Sequence, residues 1–431
     1  MGKERCRKRI SVGTIVSGLL VLRFPLGFPE WVLILCLGAR RRKERWTLCS
    51  PPQQLQPGHS TPKGTTFMRR LLWPVALALL ALLPATSSVR AFDPAQRLNR
   101  RIAGHLDAYT NHHGVDRRIW SAALGQRRDM YVYLPPGYDP SKRYPVLLWL
   151  HGINSDERTF VKQAVVDLDD AIASGRLPPM IVAAPDGSLN GRPTLFGTNP
   201  LFLNSDLGRF EDYVTQDVWA FLLQHYPIRP EREAHVVAGY SGGGGAAFRI
   251  AIKYRETIGV VFALSAPLNF RWMDCHGRYM ANFDPNCWGW REDVNRGREV
   301  VGRFYGVVAV RLRRLIYPLF GRGPEAVEQL SRENPIEMID LYSLRPGELC
   351  MYVGYGGRDE FNMDAQVESF LYRARERGLP VMVGYEPNGR HSWRTGRRLL
   401  PDALGWLAPL LAPYAPPACV LLPTQESAPE E

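Results

Sequence analysis

The stretch HVVAGYSGGGGAAFRIAI, residues 235–252, carries one serine, Ser241, at the point where one structural pattern gives way to another. The residues before it form an apolar run typical of a buried strand, and those after it place apolar side chains at helical spacing. A strand that turns this sharply into a helix crowds the positions two residues before and after the serine, which explains Gly239 and Gly243. The turn raises the serine above the sheet edge and presents the amide of Gly242 to a developing negative charge. The stretch therefore predicts a nucleophilic serine.

Strands alternate with helices along most of the chain. Apolar or alternating segments predict strands at 130–134, 146–150, 179–184, 234–240, 259–265, 349–356 and 380–386, and helical spacing predicts helices at 160–174, 210–222, 243–254, 364–377 and 398–411. Such alternation is typical of an α/β fold, with a mostly parallel central sheet flanked by helices on both faces.

A serine hydroxyl is a weak nucleophile and needs a base that an acid orients. Among the histidines, only His391, in PNGRHSWRTG, both follows the serine and lies in a loop directly after a strand. The acid is predicted in YVGYGGRDEFNMD, where Asp359 lies just past a strand end. Its neighbour Glu360 would point elsewhere, and Asp364 suits the start of the next helix. The chain order serine, aspartate, histidine is that of an α/β-hydrolase triad.

The loop after the strand LWL supplies the second amide of the predicted oxyanion hole. Gly152 in HGIN lets the backbone approach the substrate, and the donor is the amide of Ile153 or of Gly152 itself. We expect His151 to support this loop. Asp186, in APDG, either shapes the pocket or stabilises its own turn, and the turn is favoured.

Residues 266–348 form an insertion of more than eighty residues, without a clear strand and rich in Trp, Arg and Tyr. Two interpretations stay open, a cap over the active site and a helical insertion packed to its side. Residues 303–320 are apolar and basic, so they either lie on a membrane surface or form a cap helix with its arginines in water. The tryptophans at 272, 288 and 290 either stack on a sugar or phenolic ring or form a small core.

The net charge of +12 is confined to the N-terminal part of the chain. Residues 1–91 hold 15 basic and 3 acidic residues, whereas the other 340 residues hold 39 of each. The part with the catalytic pattern therefore carries no basic excess for a phosphate backbone, and we expect no nucleic-acid partner.

Residues 68–91, MRRLLWPVALALLALLPATSSVRA, have the basic start, apolar run and short-residue cleavage site of a signal peptide. Cleavage after Ala91 would give a secreted or periplasmic protein with a catalytic domain at 92–411 and a Pro-rich tail, predicted to be disordered, at 412–431. Residues 1–67 are either a membrane anchor or the result of a start codon assigned too early. Membrane contact is expected only through this N-terminal segment or the cap.

The cysteines give few constraints. Cys275 and Cys287 fall in one predicted loop and can pair in an oxidising compartment. No CxxC or His/Cys spacing predicts a metal site, and no organic cofactor is implied.

Taken together, the segments VYLPPGYDPSKRYPVLLWLHG, VVAGYSGGGGAAFRIAI, GYGGRDEF and GRHSW resemble the esterase family of α/β-hydrolases. That family includes feruloyl and acetyl-xylan esterases, S-formylglutathione hydrolases, enterochelin esterases and mycolyltransferases. The resemblance runs from about Arg127 to Leu411 and implies an α/β-hydrolase with Ser241, Asp359 and His391 as its triad. Two departures concern the substrate: Gly242 stands where these enzymes often carry Met, and the insertion is longer than expected.

The expected function is an exported serine hydrolase that cleaves a carboxylic ester of a small molecule, a carbohydrate or a lipid. One alternative is an acyltransferase that passes the same acyl group to a sugar or lipid alcohol. The other is a binding protein on a hydrolase scaffold, because a fold does not by itself establish an activity. The oligomeric state stays open.

Overall fold

The computed structural model describes residues 94–417, apart from 113, 194–197 and 305. The chain divides into two units, Met1–Ala85 and Thr86–Glu431. In the first unit, the description covers only an antiparallel pair of two-residue strands, Leu19–Leu20 with Leu35–Cys36. The predicted signal peptide at 68–91 and the other residues of 1–67 lie outside the described residues, as does the tail from 418 onward. The fold below belongs to the second unit.

Eight strands form the central sheet. They are β1 (His105–Tyr109), β2 (Met130–Leu134), β3 (Val146–Leu150), β4 (Ile181–Pro185), β5 (His235–Tyr240), β6 (Val260–Leu264), β7 (Cys350–Gly356) and β8 (Val381–Glu386). Their order across the sheet is β8-β7-β6-β5-β3-β4-β2-β1. Only β2 runs antiparallel to its neighbours, β1 and β4, within this described sheet. The prediction of a mostly parallel sheet is confirmed.

The central strands are uninterrupted apolar runs because both of their faces are buried. In β3, Leu147 and Trp149 enter one hydrophobic core, while Val146, Leu148 and Leu150 enter the core on the opposite face. A strand covered on both sides has no position for a polar residue, which is the pattern expected of parallel sheets. The edge strand β1, with the sequence HLDAY, was not predicted because it is short and carries polar residues.

Helices cover both faces, as predicted. One face is covered by Pro94–Leu98, Arg158–Gln163, Val165–Ala173 and Trp393–Leu411. The other is covered by Phe210–Asp212, the π-helical turn Tyr213–Val218, Trp219–His225, Gly242–Lys253, Pro335–Leu341 and Met363–Glu376. Among the described residues, no helix combines the length and the apolar character needed to cross a bilayer.

Short strand pairs lie outside the central sheet. Two of them precede the serine: Ile119–Ser121 with Gln126–Arg128, and Asn204–Ser205 with Gly208–Arg209. Two more lie in the insertion: Trp272–Asp274 with Trp288–Trp290, and Val300–Phe304 with Val308–Arg311. The insertion also contains the short helices Leu312–Leu315, Tyr317–Phe320 and Pro324–Arg332.

The insertion therefore differs from its prediction in two respects. It has strands, and residues 303–320 do not form a single cap helix. The β-branched residues on either side of Gly306 favour a hairpin, and Gly306 takes the positive φ of 73° that its turn requires. Pro318 then falls in the first turn of a separate short helix, where proline is tolerated.

The insertion has a hydrophobic core of its own. Trp272 is fully buried there beside Phe283, with ring centroids 5.9 Å apart, while Trp288 and Trp290 are half-buried and contact each other. Of the two interpretations of these tryptophans, the small core therefore describes Trp272. These three tryptophans belong to the first strand pair of the insertion. A disulfide between Cys275 and Cys287 links its two strands.

The start of the C-terminal tail is ordered against the domain. Ala412–Tyr414 form a 3₁₀ turn, and Arg229 Nε donates a hydrogen bond of 3.1 Å to the carbonyl of Tyr414. Lys142 reaches the carbonyl of Pro417 at 3.1 Å. The prediction of disorder from residue 412 is therefore wrong for 412–417, because basic side chains of the domain hold this segment.

Candidate active site

Ser241 occupies a strained turn between β5 and the helix Gly242–Lys253. Its φ of 54° and ψ of −127° are unusual for a residue with a side chain. The conformation is fixed by the sheet and the helix, since the Ser241 amide donates to Leu264 O at 2.9 Å and its carbonyl accepts from the Gly244 amide at 2.9 Å. Packing around the turn thus holds the serine side chain at the carboxyl edge of the sheet.

Gly239 and Gly243 are required by the close approach of two backbone segments. A Cβ on Gly239 would lie 2.4 Å from the carbonyl oxygen of Gly243, and a Cβ on Gly243 would lie 2.1 Å from Leu150 O. Both distances are far below any ordinary contact. The helix can therefore leave the sheet at this angle only if both positions lack a side chain.

Three loops at the carboxyl edge bring the predicted triad residues together. Ser241 Oγ lies 2.9 Å from His391 Nε2, and His391 Nδ1 lies 2.8 Å from Asp359 Oδ2. The other carboxylate oxygen of Asp359 accepts the Phe361 amide at 2.9 Å. The side chains of His391 and Asp359 are 7% and 0% exposed, so this hydrogen-bonded chain is shielded from water.

Glu360 holds the backbone of the histidine loop. Its carboxylate accepts the His391 amide at 2.8 Å and Arg390 Nε at 2.5 Å. Burial acts to raise the pKa of Glu360, but these hydrogen bonds outweigh it and lower the pKa, so the carboxylate is charged. The sequence predicted that Glu360 would point away from Asp359. It did not predict the contact of Glu360 with His391, because the two residues are 31 positions apart.

Asp364 takes no part in this network. It is the second residue of the helix Met363–Glu376, as predicted for a residue that starts the helix. Burial, and then the nearby charge of Asp359, raise its pKa to about 6. Its Oδ1 is buried and has no hydrogen-bond partner among the described residues.

Aromatic rings fix the plane of the histidine. The rings of Phe361 and Tyr240 lie 4.6 Å and 5.7 Å from the His391 ring. Phe361 is covered in turn by the insertion hairpin, where a Cβ on Gly302 would lie 2.1 Å from the Phe361 ring. The next residue, Arg303, donates its amide to Glu360 O at 3.2 Å. The insertion thus packs directly on the loop that carries Asp359, a contact that no local pattern indicates.

The three residues predicted for the oxyanion hole lie beside the serine. A Cβ on Gly152 would lie 3.2 Å from Ser241 Cβ, and a Cβ on Gly242 would lie 3.5 Å from the amide nitrogen of Ile153. Within the described part of the chain, the amides of Gly242 and Ile153 donate no hydrogen bond. Both amides are therefore available to a substrate oxygen next to Ser241.

His151 supports the loop of Gly152 and Ile153, as expected. Its Nδ1 donates to Gly152 O at 2.9 Å, and its Nε2 accepts the Gly187 amide at 2.8 Å. Complete burial lowers the pKa of His151, which keeps the ring neutral and able to act as donor and acceptor at once. Asp186 accepts the amide of Ser188 in its own turn and pairs with buried Arg128 at 2.6 Å. The contact with Ser188 agrees with the interpretation that Asp186 stabilises its own turn.

Two hollows meet at Ser241. The apolar pocket, of about 80 Å³, is lined by Ile153, Leu201, Gly242, Met363 and Phe361 and by residues of the insertion. The second hollow, of about 540 Å³, is called the polar cleft because Ser155, Thr159, Gln163, Arg390 and His391 line it, beside the rings of Tyr240, Phe304 and Trp393. Leu201 was not predicted from the sequence. It is held by Arg249, which donates to its carbonyl at 2.8 Å from the buried face of the serine helix.

The order and direction of the eight strands, with a serine turn after β5, define the α/β-hydrolase fold. Residues 121–407 match the family model Esterase, described as "Putative esterase". This match spans more than half of the chain, and the protein therefore belongs to this esterase family.

Curated relatives match a limited part of the chain. "Esterase Rv1288" of Mycobacterium tuberculosis (strain H37Rv) is 29% identical over 164 residues, which cover 36% of this chain and 34% of that protein. "Endo-1,4-beta-xylanase Y" of Acetivibrio thermocellus is 41% identical over 61 residues, covering 14% of this chain and 6% of that protein. The chain thus spans about a third or less of the length of these curated relatives.

Solved structures are similar in fold. A ferulic acid esterase has a TM-score of 0.51 and 18% identity, with 71% of this chain and 98% of that chain covered. An S-formylglutathione hydrolase from Agrobacterium tumefaciens has a TM-score of 0.51 and 16% identity, with 72% and 96% covered. At these identities the similarity concerns the fold alone.

Proposed function

We propose that the protein is an exported serine hydrolase that cleaves carboxylic esters through an acyl-enzyme. The observation that carries the proposal is the hydrogen-bonded chain from Ser241 through His391 to Asp359, which lies beside the free amides of Gly242 and Ile153. Nucleophile, base, acid and oxyanion donors meet at one point, which is what acyl transfer to a serine requires.

In this mechanism Ser241 Oγ attacks the ester carbonyl carbon while His391 Nε2 accepts the hydroxyl proton. The carbonyl oxygen becomes an oxyanion, and the amides of Gly242 and Ile153 stabilise it. The bond from carbon to the alcohol oxygen then breaks, and His391 returns the proton to the departing alcohol. Water repeats the sequence on the acyl-enzyme and releases the acid. Asp359 holds the imidazole in the correct tautomer and stabilises its protonated form.

Ester hydrolysis by the purified full chain tests this proposal. We expect p-nitrophenyl esters to be cleaved, and we expect Ser241→Ala to reduce kcat by about 10⁴-fold or more without loss of folding, since removal of a triad member has an effect of this size. A folded wild-type protein that cleaves no ester would instead favour a binding protein on a hydrolase scaffold.

The same experiment distinguishes hydrolysis from acyl transfer. The polar cleft beside His391 has space for an acceptor alcohol as well as for water. Adding glycerol to the assay and measuring acid and new ester by mass spectrometry gives the partition of the acyl-enzyme. Acid as the main product supports a hydrolase, and ester as the main product would make the protein an acyltransferase.

Export is supported by the signal-peptide pattern of 68–91 and by the disulfide between Cys275 and Cys287, a bond that persists in oxidising compartments. N-terminal sequencing of the native protein tests it. A first residue of Phe92 is the expected result, and a native protein that retains 68–91 would contradict cleavage of this segment.

A further inference from the structure

The two hollows at Ser241 differ in their access to the histidine. His391 lines the polar cleft and is absent from the lining of the apolar pocket, whereas Ser241 and Ile153 line both. The leaving alcohol must receive its proton from His391 Nε2, so the alcohol lies on the side of the polar cleft. The acyl group then extends the other way, past the amide of Gly242 and into the apolar pocket.

The apolar pocket is built largely by the insertion. Its wall includes Val301, Leu312, Leu315, Ile316 and Phe320, which come from the second hairpin and the two short helices after it. Aliphatic side chains from the domain, among them Leu201 and Met363, complete it. Among the described residues that line it there is no charged side chain.

The polar groups of this pocket are already engaged with each other. The Tyr279 hydroxyl donates to Phe361 O at 2.8 Å and accepts from Gln366 Nε2 at 2.9 Å. Gln366 Oε1 has no partner among the described residues, but the atom is itself buried and not exposed to the pocket. An acyl group with phenolic or charged substituents would lose hydrogen bonds to water here without replacement, whereas an aliphatic chain loses none.

The polar cleft differs from the apolar pocket because hydrogen-bonding side chains lie beside its aromatic rings. Ser155, Thr159 and Gln163 line one side, and their side chains make no hydrogen bond to any described residue. On the other side lies the ion pair of Arg390 and Glu360, whose Arg390 side chain is 61% exposed, so the cleft presents both uncharged and charged groups for hydrogen bonding. Such groups suit an alcohol with several hydroxyls.

We propose that the preferred substrate joins an aliphatic acyl chain to a hydroxyl-rich alcohol, and that Leu315 in the insertion, which lines both the apolar pocket and a smaller hollow beside it, limits the length of the chain. The proposal rests on the proposed function of Ser241. It assigns the insertion a direct role in substrate choice, because the acyl chain packs against residues that the insertion supplies.

The acyl half is tested with p-nitrophenyl esters of acetate, butyrate, octanoate and ferulate. Each buried methylene should raise kcat/KM about three- to fourfold, so octanoate, with six more methylenes, should exceed acetate by roughly 10³-fold. Ferulate should fall below octanoate. A maximum at acetate or ferulate would overturn this inference while leaving ester hydrolysis intact, and a folded protein that cleaves no ester would overturn both.

Variants locate the pocket. Leu315→Trp should lower the ratio of octanoate to butyrate activity more than tenfold. Leu315→Ala should move the optimal substrate to longer acyl chains, and this second variant keeps the proposal testable if the tryptophan impairs folding. The matched control Leu341→Trp changes an exposed leucine of the same insertion, 57% accessible, and should leave the ratio unchanged. An unchanged ratio in both Leu315 variants would overturn the assignment.

The alcohol half is tested by comparing 1-octanoylglycerol with ethyl octanoate. One or two extra hydrogen bonds should favour the glycerol ester by about fivefold or more. Gln163→Leu keeps the approximate volume and should reduce that preference without changing the acyl profile. Equal rates for the two esters in the wild-type protein would overturn this half.

Discussion

The turn at Ser241 and the insertion at 266–348 meet at the same pocket, but they are specified differently. In the turn, an eighteen-residue stretch displays the glycines, the strand before them and the helix after them, although Gly243 is also required by the approach of Leu150 from a neighbouring strand. In the insertion, short strands and helices are held by a separate core, a disulfide and contacts with a distant loop. The comparison indicates that the serine turn is largely specified by local sequence, whereas the walls of the pocket depend on long-range packing.

The largest effect on activity is expected from Asp359→Asn, in the loop that follows strand β7. The amide would favour the wrong tautomer of His391 across the 2.8 Å contact, so kcat should fall by about 10⁴-fold with little change in stability. Ester hydrolysis and thermal unfolding measure the two quantities. A kcat within tenfold of wild type would contradict the role of this carboxylate.

Gly243→Ala tests the turn itself. Its Cβ would lie 2.1 Å from Leu150 O, and because both partners are backbone the substitution should destabilise the fold by about 3 kcal/mol or more. The control is Gly405→Ala, in the helix Trp393–Leu411, where a Cβ meets nothing within 4 Å. It should stabilise the protein by about 0.5–1 kcal/mol. Equal unfolding free energies in denaturant would refute the steric argument.

Removal of the disulfide tests the insertion. Cys275 and Cys287 are separated by 12 residues, and closing a loop of about that length contributes about 3 kcal/mol. Replacing both by Ala should loosen the insertion and flatten the acyl-length profile, while the rate of labelling of Ser241 by a small fluorophosphonate should change much less. A profile identical to wild type would show that the pocket does not depend on this bond.

Gly302→Ala tests the contact between the two regions. Its Cβ would lie 2.1 Å from the Phe361 ring, which packs on His391. The ring must therefore shift, and we expect the displaced histidine to raise the activation free energy by about 1–2 kcal/mol, which lowers kcat about tenfold. Gly289→Ala, in the same insertion but with nothing within 4 Å, is the control and should retain wild-type activity. If both variants behaved alike, the hairpin would have no influence on the triad.

The smallest effect concerns Asp364. Its pKa of about 6 exceeds the ordinary value of 3.8, so the folded state holds a proton that the unfolded chain releases, and stability falls as pH rises through this interval. Asp364→Asn should therefore match wild type near pH 4 and exceed its Tm by a few degrees at pH 8. Thermal unfolding at both values checks the sign.

Asp340 provides a control of opposite sign. Burial acts to raise the pKa of Asp340, but the hydrogen bonds from Arg373 and Arg377 outweigh it and lower the pKa. The charged carboxylate therefore stabilises the folded state at neutral pH, and this stabilisation is lost in acid. Asp340→Asn should lower Tm at pH 8 and have less effect at low pH. The same pH dependence for both variants would contradict the assignment for Asp364.

Local patterns predicted most of the sheet and all three members of the hydrogen-bonded chain. Strands such as β3 and β5 are long apolar runs because both faces are covered, and His391 stands out by its place after a strand. The edge strand β1 lacks such a run, so it was not predicted. The first strand pair of the insertion is too short, at three residues each, for periodicity to identify it.

Contacts between distant segments could not be predicted. The Glu360 carboxylate binds the His391 amide across thirty-one positions, and Gly302 lies over Phe361 from another part of the chain. Each residue taken alone has an ordinary local role, as an acidic loop residue or as a glycine in a strand. Their importance depends on the tertiary fold, which a single sequence does not display.

If Ser241 is an activated nucleophile, a fluorophosphonate should label it, and this test requires no knowledge of the substrate. The full chain, its Ser241→Ala variant and a heat-denatured sample would be treated and digested, and the modified residue located by mass spectrometry. We expect one phosphonylated residue, Ser241, in the folded wild-type protein alone. Labelling at another residue, or no labelling of a folded wild-type sample, would contradict it.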